Sequence, residues 1–144
     1  MNGPLLLHAT AAAVRTGGDW VAALISGPSG SGKSDLALRL MERGWRLVAD
    51  DYVQVWADQG RLWCAAPQTL PEAIEARGVG LISQPLLRQA RVGAWVELEA
   101  DPERLPEASL HQLCGVSLPR LTLTGVEASA PYKLMRVITA GGRA

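Results

Sequence analysis

An excess of charge of either sign is what this chain most plainly lacks: 14 Lys and Arg balance 14 Asp and Glu, for a formal net charge of zero. The basic residues are not clustered either, which excludes nucleic-acid or anionic-membrane binding driven by overall charge. Phenylalanine is absent, and the five tryptophans, at 20, 45, 56, 63 and 95, are too dispersed for a base-stacking platform. Packing is the role they support. Only two cysteines occur, Cys64 and Cys114, in no C-x-x-C spacing. They read as two buried small hydrophobes in a reducing compartment. No apolar run approaches the ~18 residues of a membrane helix. The stretch Leu5–Val14 has no Lys or Arg before it and is interrupted by His8 and Thr10, so it reads as a strand and not as a secretory leader. A cytoplasmic location is expected.

What is there is an ordinary globular composition, 48% apolar and 19% charged, and at 144 residues one domain is expected over 1–144, with 140–144 a frayed tail. The informative stretch is Gly27–Ser34, G-P-S-G-S-G-K-S, a match to the phosphate-binding loop G-x-x-x-x-G-K-[ST]. Gly27, Gly30 and Gly32 allow backbone N–H groups to turn inward between Pro28, Ser29 and Ser31. Lys33 can then reach terminal phosphates, and Ser34 can ligate Mg²⁺. A continuous apolar strand, Trp20–Ser26, leads into the loop from a turn at 16–19, so the strand 5–14 and this one read as a hairpin. A helix follows over Ser34–Arg43, with Leu36, Ala37, Leu40 and Met41 as its apolar stripe and Gly44 as its stop.

The next strand, Trp45–Ala49, ends at once in Asp50-Asp51. Strand, loop, helix and strand make the βαβ-like unit in which a phosphate loop belongs, and carboxylates at a strand's carboxyl end lie where ligands bind. Adjacent side chains on a strand point opposite ways, so one acid would face the nucleotide as base or metal ligand while its neighbour orients the loop. The residues alone leave open which acid does which. Residues 52–56 and 61–66 read as a hairpin, Leu70–Glu75 as one or two helical turns, and Val92–Glu99 and Leu118–Leu123 as strands. Residues 101–106 read as a turn, and 129–138 as a helix with a cap-and-proline start. Glu75 and Arg77 beside Gly78 and Gly80 offer one metal-type ligand and one phosphate clamp.

Taken together, His8, G-P-S-G-S-G-K-S (27–34), R-G-W-R-L-V-A-D-D (43–51) and E-A-R-G-V-G-L-I (75–82) resemble, in order, the catalytic domain of HPr kinase/phosphorylase. That family comprises bacterial protein-serine kinases acting on the phosphocarrier HPr. D-P-E-R-L (101–105) is similar to a weaker family element, whose Arg falls on Arg104. The resemblance covers about residues 5–82 and is that of a short, single-domain member of the α-proteobacterial type. It implies an α/β fold, a mixed sheet of the HPr kinase/PEP carboxykinase-like type, and ATP and Mg²⁺ as cofactors. It also implies an HPr-like protein as substrate and raises homo-oligomer formation.

Residue by residue, the resemblance implies that Lys33 contacts the β- and γ-phosphates, that Ser34 and Glu75 ligate Mg²⁺, and that Asp51 is the general base with Asp50 in close support. His8, Arg77 and Arg104 are implied as accessory active-site residues. The family's proline- and glycine-rich C-terminal element, linked to dephosphorylation, has no clear counterpart. Residues 121–133 stand in its place, so the kinase half of the activity carries over and the phosphorylase half stays open. The alternatives are another phosphate-loop small-molecule kinase or ATPase, and a non-catalytic nucleotide sensor.

Overall fold

The computed structural model describes residues 3–104 and 107–141. Its main feature is a nine-stranded mixed sheet. The strands are β1 (Leu5–His8), β2 (Thr10–Thr16), β3 (Asp19–Ser26), β4 (Arg46–Ala49), β5 (Tyr52–Asp58), β6 (Arg61–Ala65), β9 (Ala90–Leu98), β10 (Ser109–Leu113) and β11 (Val116–Leu123). A separate two-stranded hairpin is made by β7 (Ala73–Ala76) and β8 (Gly80–Ser83). The helices are α1 (Lys33–Met41) and α2 (Ala130–Gly141).

Along the sheet the order is β1-β5-β6-β9-β3-β2-β4, and β9 also pairs in parallel with β11, which carries β10. The loop strand β3 lies parallel to β9 and antiparallel to β2, and β2 is antiparallel to β4. The β3–α1–β4 unit is therefore a crossover with β2 inserted between its strands. Alternation along β3 sends Val21, Ala23 and Ile25 to one face and Ala22 and Leu24 to the other. The first face is covered by the helices through Leu36, Leu40, Ala130, Leu134 and Ile138. On the second face the sheet curls until β4 touches β5 and β6. Val53, Val55, Leu62 and Cys64 there pack on Ala11, Ala13, Ala22 and Leu24. The alanines of β2 leave room for that close return.

Several expected elements differ. The stretch 5–14 is two strands, broken at Ala9: β1 pairs with β5, while only β2 joins β3. Residues 70–75 are not helical. Ile74 and Ala76 are buried while Glu75 is exposed, an alternation of period two that pairs β7 with β8. Strand β10 was not expected. It is joined to β11 by Cys114-Gly115, both at positive φ, the geometry of a tight hairpin turn. That turn leaves Cys114 exposed, so only Cys64 is the buried thiol expected of both, and burial pushes its pKa up to about 12. Ala140 and Gly141 belong to α2, and the rest of the expected tail lies outside the described residues, as do Leu105 and Pro106 of the expected turn.

Candidate active site

The loop 27–34 springs from the carboxyl end of β3. Gly27 has φ +153°, and a Cβ there would lie 2.7 Å from Ser31 Oγ and 3.2 Å from Leu98, so a side chain is excluded both by conformation and by space. Gly32, at φ +97°, is the N-cap of α1 and gives it no side-chain cap, leaving the first-turn N–H groups to be satisfied from outside the helix. Lys33 is 6% exposed, and its Nζ donates to the carbonyls of Gly27 (2.8 Å) and Pro28 (3.2 Å). The ammonium is thus held over the loop's own backbone, within reach of anything the loop cradles.

Asp50 follows the last residue of β4. Its Oδ1 accepts from Ser34 Oγ at 2.7 Å and from Thr10 Oγ1 at 3.0 Å, and its Oδ2 accepts from the Glu75 backbone N–H at 3.2 Å. One carboxylate therefore joins the loop helix, β2 and β7. Asp51 differs. It is exposed, adopts φ +67°, and donates its N–H to Thr10 Oγ1 at 3.4 Å. Asp tolerates this left-handed conformation better than most residues, and here it turns the second carboxylate out from the strand end. Strand alternation, the ground for expecting the pair to be opposed, does not apply, because Asp51 lies in a turn at positive φ.

His8 ends β1 opposite Tyr52, with ring centroids 5.2 Å apart, one residue beyond Asp51. Glu75 lies on the exposed face of β7, and Arg77 and Gly78 are exposed in the turn that follows it. The structure thus gathers Ser34, Lys33, Asp50, Asp51 and the Glu75 backbone around the loop, with His8 beside them. Arg104 is exposed in the stretch after β9, and no hydrogen bond or ion pair among the described residues links it to that group.

Sequence reasoning missed Thr10. A threonine within an apolar strand gives no local signal, since its contact with Asp50 spans 40 residues. Behind the loop, Leu98 and Gly125 form the supporting wall, and a Cβ on Gly125 would lie 2.7 Å from Ser31 O. Arg39 ties this wall to α1 through the carbonyls of Gly125 and Glu127. Further along β9, Glu97 accepts from Arg120 (2.7 Å) and Trp95 (3.1 Å), while Trp95 stacks on His111 at 4.0 Å. Partial burial pushes the Glu97 carboxyl upward, but the bonds from Arg120 and Trp95 and the nearby positive charge outweigh it, and the net direction is downward.

Comparison with known proteins matches this geometry to one family. The family model described as the HPr Serine kinase C-terminal domain matches residues 14–87, a span that holds the loop, Asp50, Asp51, Glu75 and Arg77. The HPr kinase/phosphorylase of Geobacillus thermodenitrificans is 37% identical over 118 residues, covering 72% of this chain and 38% of the relative. That of Streptococcus thermophilus is 41% identical over 108 residues, covering 72% and 35%. The chain therefore spans little more than a third of the length of these relatives. The solved HPr(Ser) kinase/phosphatase from Coxiella burnetii superposes with a TM-score of 0.75 over 96% of each chain at 24% identity, a likeness of fold. With the family model covering more than half of its residues, this chain belongs to the HPr serine kinase C-terminal domain family.

Proposed function

We propose that this domain is an ATP-dependent protein-serine kinase acting on an HPr-like phosphocarrier in the cytoplasm. The observation that carries the reading is the Asp50 carboxylate, which ties Ser34 of the loop to the backbone of Glu75 and leaves Asp51 exposed beside it. The loop amides and Lys33 hold the phosphates of the nucleotide. Ser34, Asp50 and Glu75 supply hard oxygen donors of the kind Mg²⁺ takes, with Ser34 and Glu75 as its holders. A metal held there would supply positive charge against the charge developing on the transferred phosphoryl group.

The acceptor serine Oγ attacks the γ-phosphorus, its bond to the bridging oxygen of ADP breaks, and the serine proton passes to Asp51. Asp50 already accepts three hydrogen bonds, whereas Asp51 is exposed and its carboxylate takes none among the described residues, which supports Asp51 as the base. His8, Arg77 and Arg104 are accessory groups in this reading. Phosphoryl transfer depends on such positioning and charge neutralisation more than on covalent catalysis by the protein.

The test is phosphoserine in the carrier, read by mass spectrometry after incubation with the pure protein, ATP and Mg²⁺. Lys33→Ala and Asp51→Asn each remove transfer, by about 10²–10³-fold or more, while the fold survives. A carrier without phosphoserine overturns the reading. A phosphorylated metabolite in its place points to a small-molecule kinase, and nucleotide binding without turnover points to a sensor.

A further inference from the structure

We propose that Thr10 is a positioning residue for transfer, holding the two adjacent acids in their unequal states; this rests on the kinase reading above. Thr10 is fully buried at the start of β2, flanked by the buried alanines Ala9, Ala11, Ala12 and Ala13. A hydroxyl there is unfavourable unless it is hydrogen-bonded, and valine or alanine would suit the apolar surroundings better. The hydroxyl is in fact used twice. It donates to Asp50 Oδ1 at 3.0 Å and accepts from the Asp51 N–H at 3.4 Å. One side chain thus grips the carboxylate of the first acid and the backbone of the second.

The strand pairing is built to bring it there. In the antiparallel β2–β4 pair, Ala12 and Ala13 face Leu47 and Arg46, but Ala11 faces Ala49, with an irregularity between Ala11 and Ala12. Val48 is the extra residue. As a result Val48 and Ala49, though consecutive, both join the same core cluster. Continued regularly, the earlier register would set Thr10 against Ala49. The bulge moves it one residue on, opposite Asp50. Bulges that re-aim a side chain in this way are a recurrent device beside active sites.

The consequence concerns Ser34. Asp50 Oδ1 takes hydrogens from both Thr10 and Ser34, so Thr10 fixes the carboxylate that in turn fixes the Ser34 hydroxyl. The Ser34 proton is committed to Asp50, which leaves the hydroxyl oxygen's lone pairs available to a cation. The Asp51 bond holds the left-handed turn that points the other carboxylate outward. Without the Thr10 hydroxyl, Asp50 keeps only its bonds to Ser34 and the Glu75 N–H, the Asp51 N–H loses its partner, and both orientations loosen together.

The experiment compares wild type with Thr10→Val, which keeps the shape and loses the bonds, and Thr10→Ser, which keeps the bonds. For each, three quantities are read: the melting temperature, nucleotide affinity with and without Mg²⁺, and the kcat and KM of transfer to the carrier. Thr10→Val is expected to lower kcat by about 10- to 100-fold, the loss of a hydrogen bond to a charged group, with the carrier KM unmoved. It is also expected to lose most of the gain in nucleotide affinity that Mg²⁺ gives, while affinity without Mg²⁺ stays near wild type. Thr10→Ser recovers both. A Thr10→Val protein with wild-type kcat and Mg²⁺ response overturns the proposal. So does a Thr10→Ser protein as impaired as Thr10→Val, since the role would then be packing of the methyl group. If Thr10→Val does not fold, Thr10→Ser against Thr10→Ala gives the same comparison. If the wild type transfers nothing to the carrier, the kinase reading fails, and the Mg²⁺ response of nucleotide affinity still decides the role of Thr10.

Discussion

The loop strand β3 has two flanks, and they do different work. On the β2–β4 flank the contacts that reach the loop are polar and specific: Ser34, Thr10 and the Glu75 N–H all meet at the Asp50 carboxylate within hydrogen-bond distance. On the β9–β11 flank the loop meets a wall of close packing, Leu98 against Gly27 and Gly125 against Ser31. The polar side chains of that flank, Glu97, Arg120, Trp95 and His111, bond or stack with one another and leave the loop alone. One flank supplies chemistry and the other fixes position. A phosphate loop needs both, because backbone N–H groups aimed at an anion are effective only if the backbone cannot drift.

The largest effect should come from breaking the packed flank. Leu98 is 1% exposed and backs the loop directly, so Leu98→Ala should cost about 2–5 kcal/mol in a denaturant titration. Nucleotide affinity, measured well below the lowered melting point, should fall with it. A destabilised protein with unchanged affinity would show that the wall supports the fold and not the loop.

The β7–β8 hairpin sharpens the comparison within the polar flank. It is anchored by the buried Ile74 and by the Glu75–Asp50 bond, whereas Val79 in its turn is 76% exposed. Arg77→Ala, in the turn, should therefore change stability by no more than about 0.5 kcal/mol. If Arg77 serves the reaction as proposed, transfer falls in the same protein while its melting curve stays in place. Unchanged transfer would remove Arg77 from the accessory set.

The smallest effect on transfer belongs to the self-contained ion pair. Glu97 lies below its ordinary pKa in the folded state, so its contribution is present above the unfolded value and is lost as pH falls through the folded one. Because the Arg120 and Glu97 side chains are 39% and 22% exposed, Glu97→Gln should cost less than about 1 kcal/mol at neutral pH. The difference from wild type should vanish in melts carried to acid pH. A difference that persists there would assign the effect to packing against Trp95.

The polar flank was legible only where its signals are local. Gly27–Ser34, the helix after it and the Asp50-Asp51 pair at a strand end are contiguous patterns whose chemistry can be read without a partner. Glu75 was singled out beside Arg77 and two glycines, yet its segment was expected to be helical. Pairing with β8 and burial of Ile74 against Ala37 and Leu47 decide that it is a strand. Arg104 was joined to the site by resemblance, and it is exposed in the stretch after β9.

By itself, the sequence determined that a phosphate loop would open a helix, that two acids would follow one strand later, and that no charge excess or cysteine pair would compete with that reading. These are properties of short segments, governed by glycine conformation, helix periodicity and strand length. Only the tertiary structure decided which acid is tied down and which is exposed. That outcome depends on a single extra residue, Val48, slipping the β2–β4 register so that Thr10 meets Asp50. Register between strands far apart in the chain is set by the packing of whole faces, and no pattern within either strand encodes it.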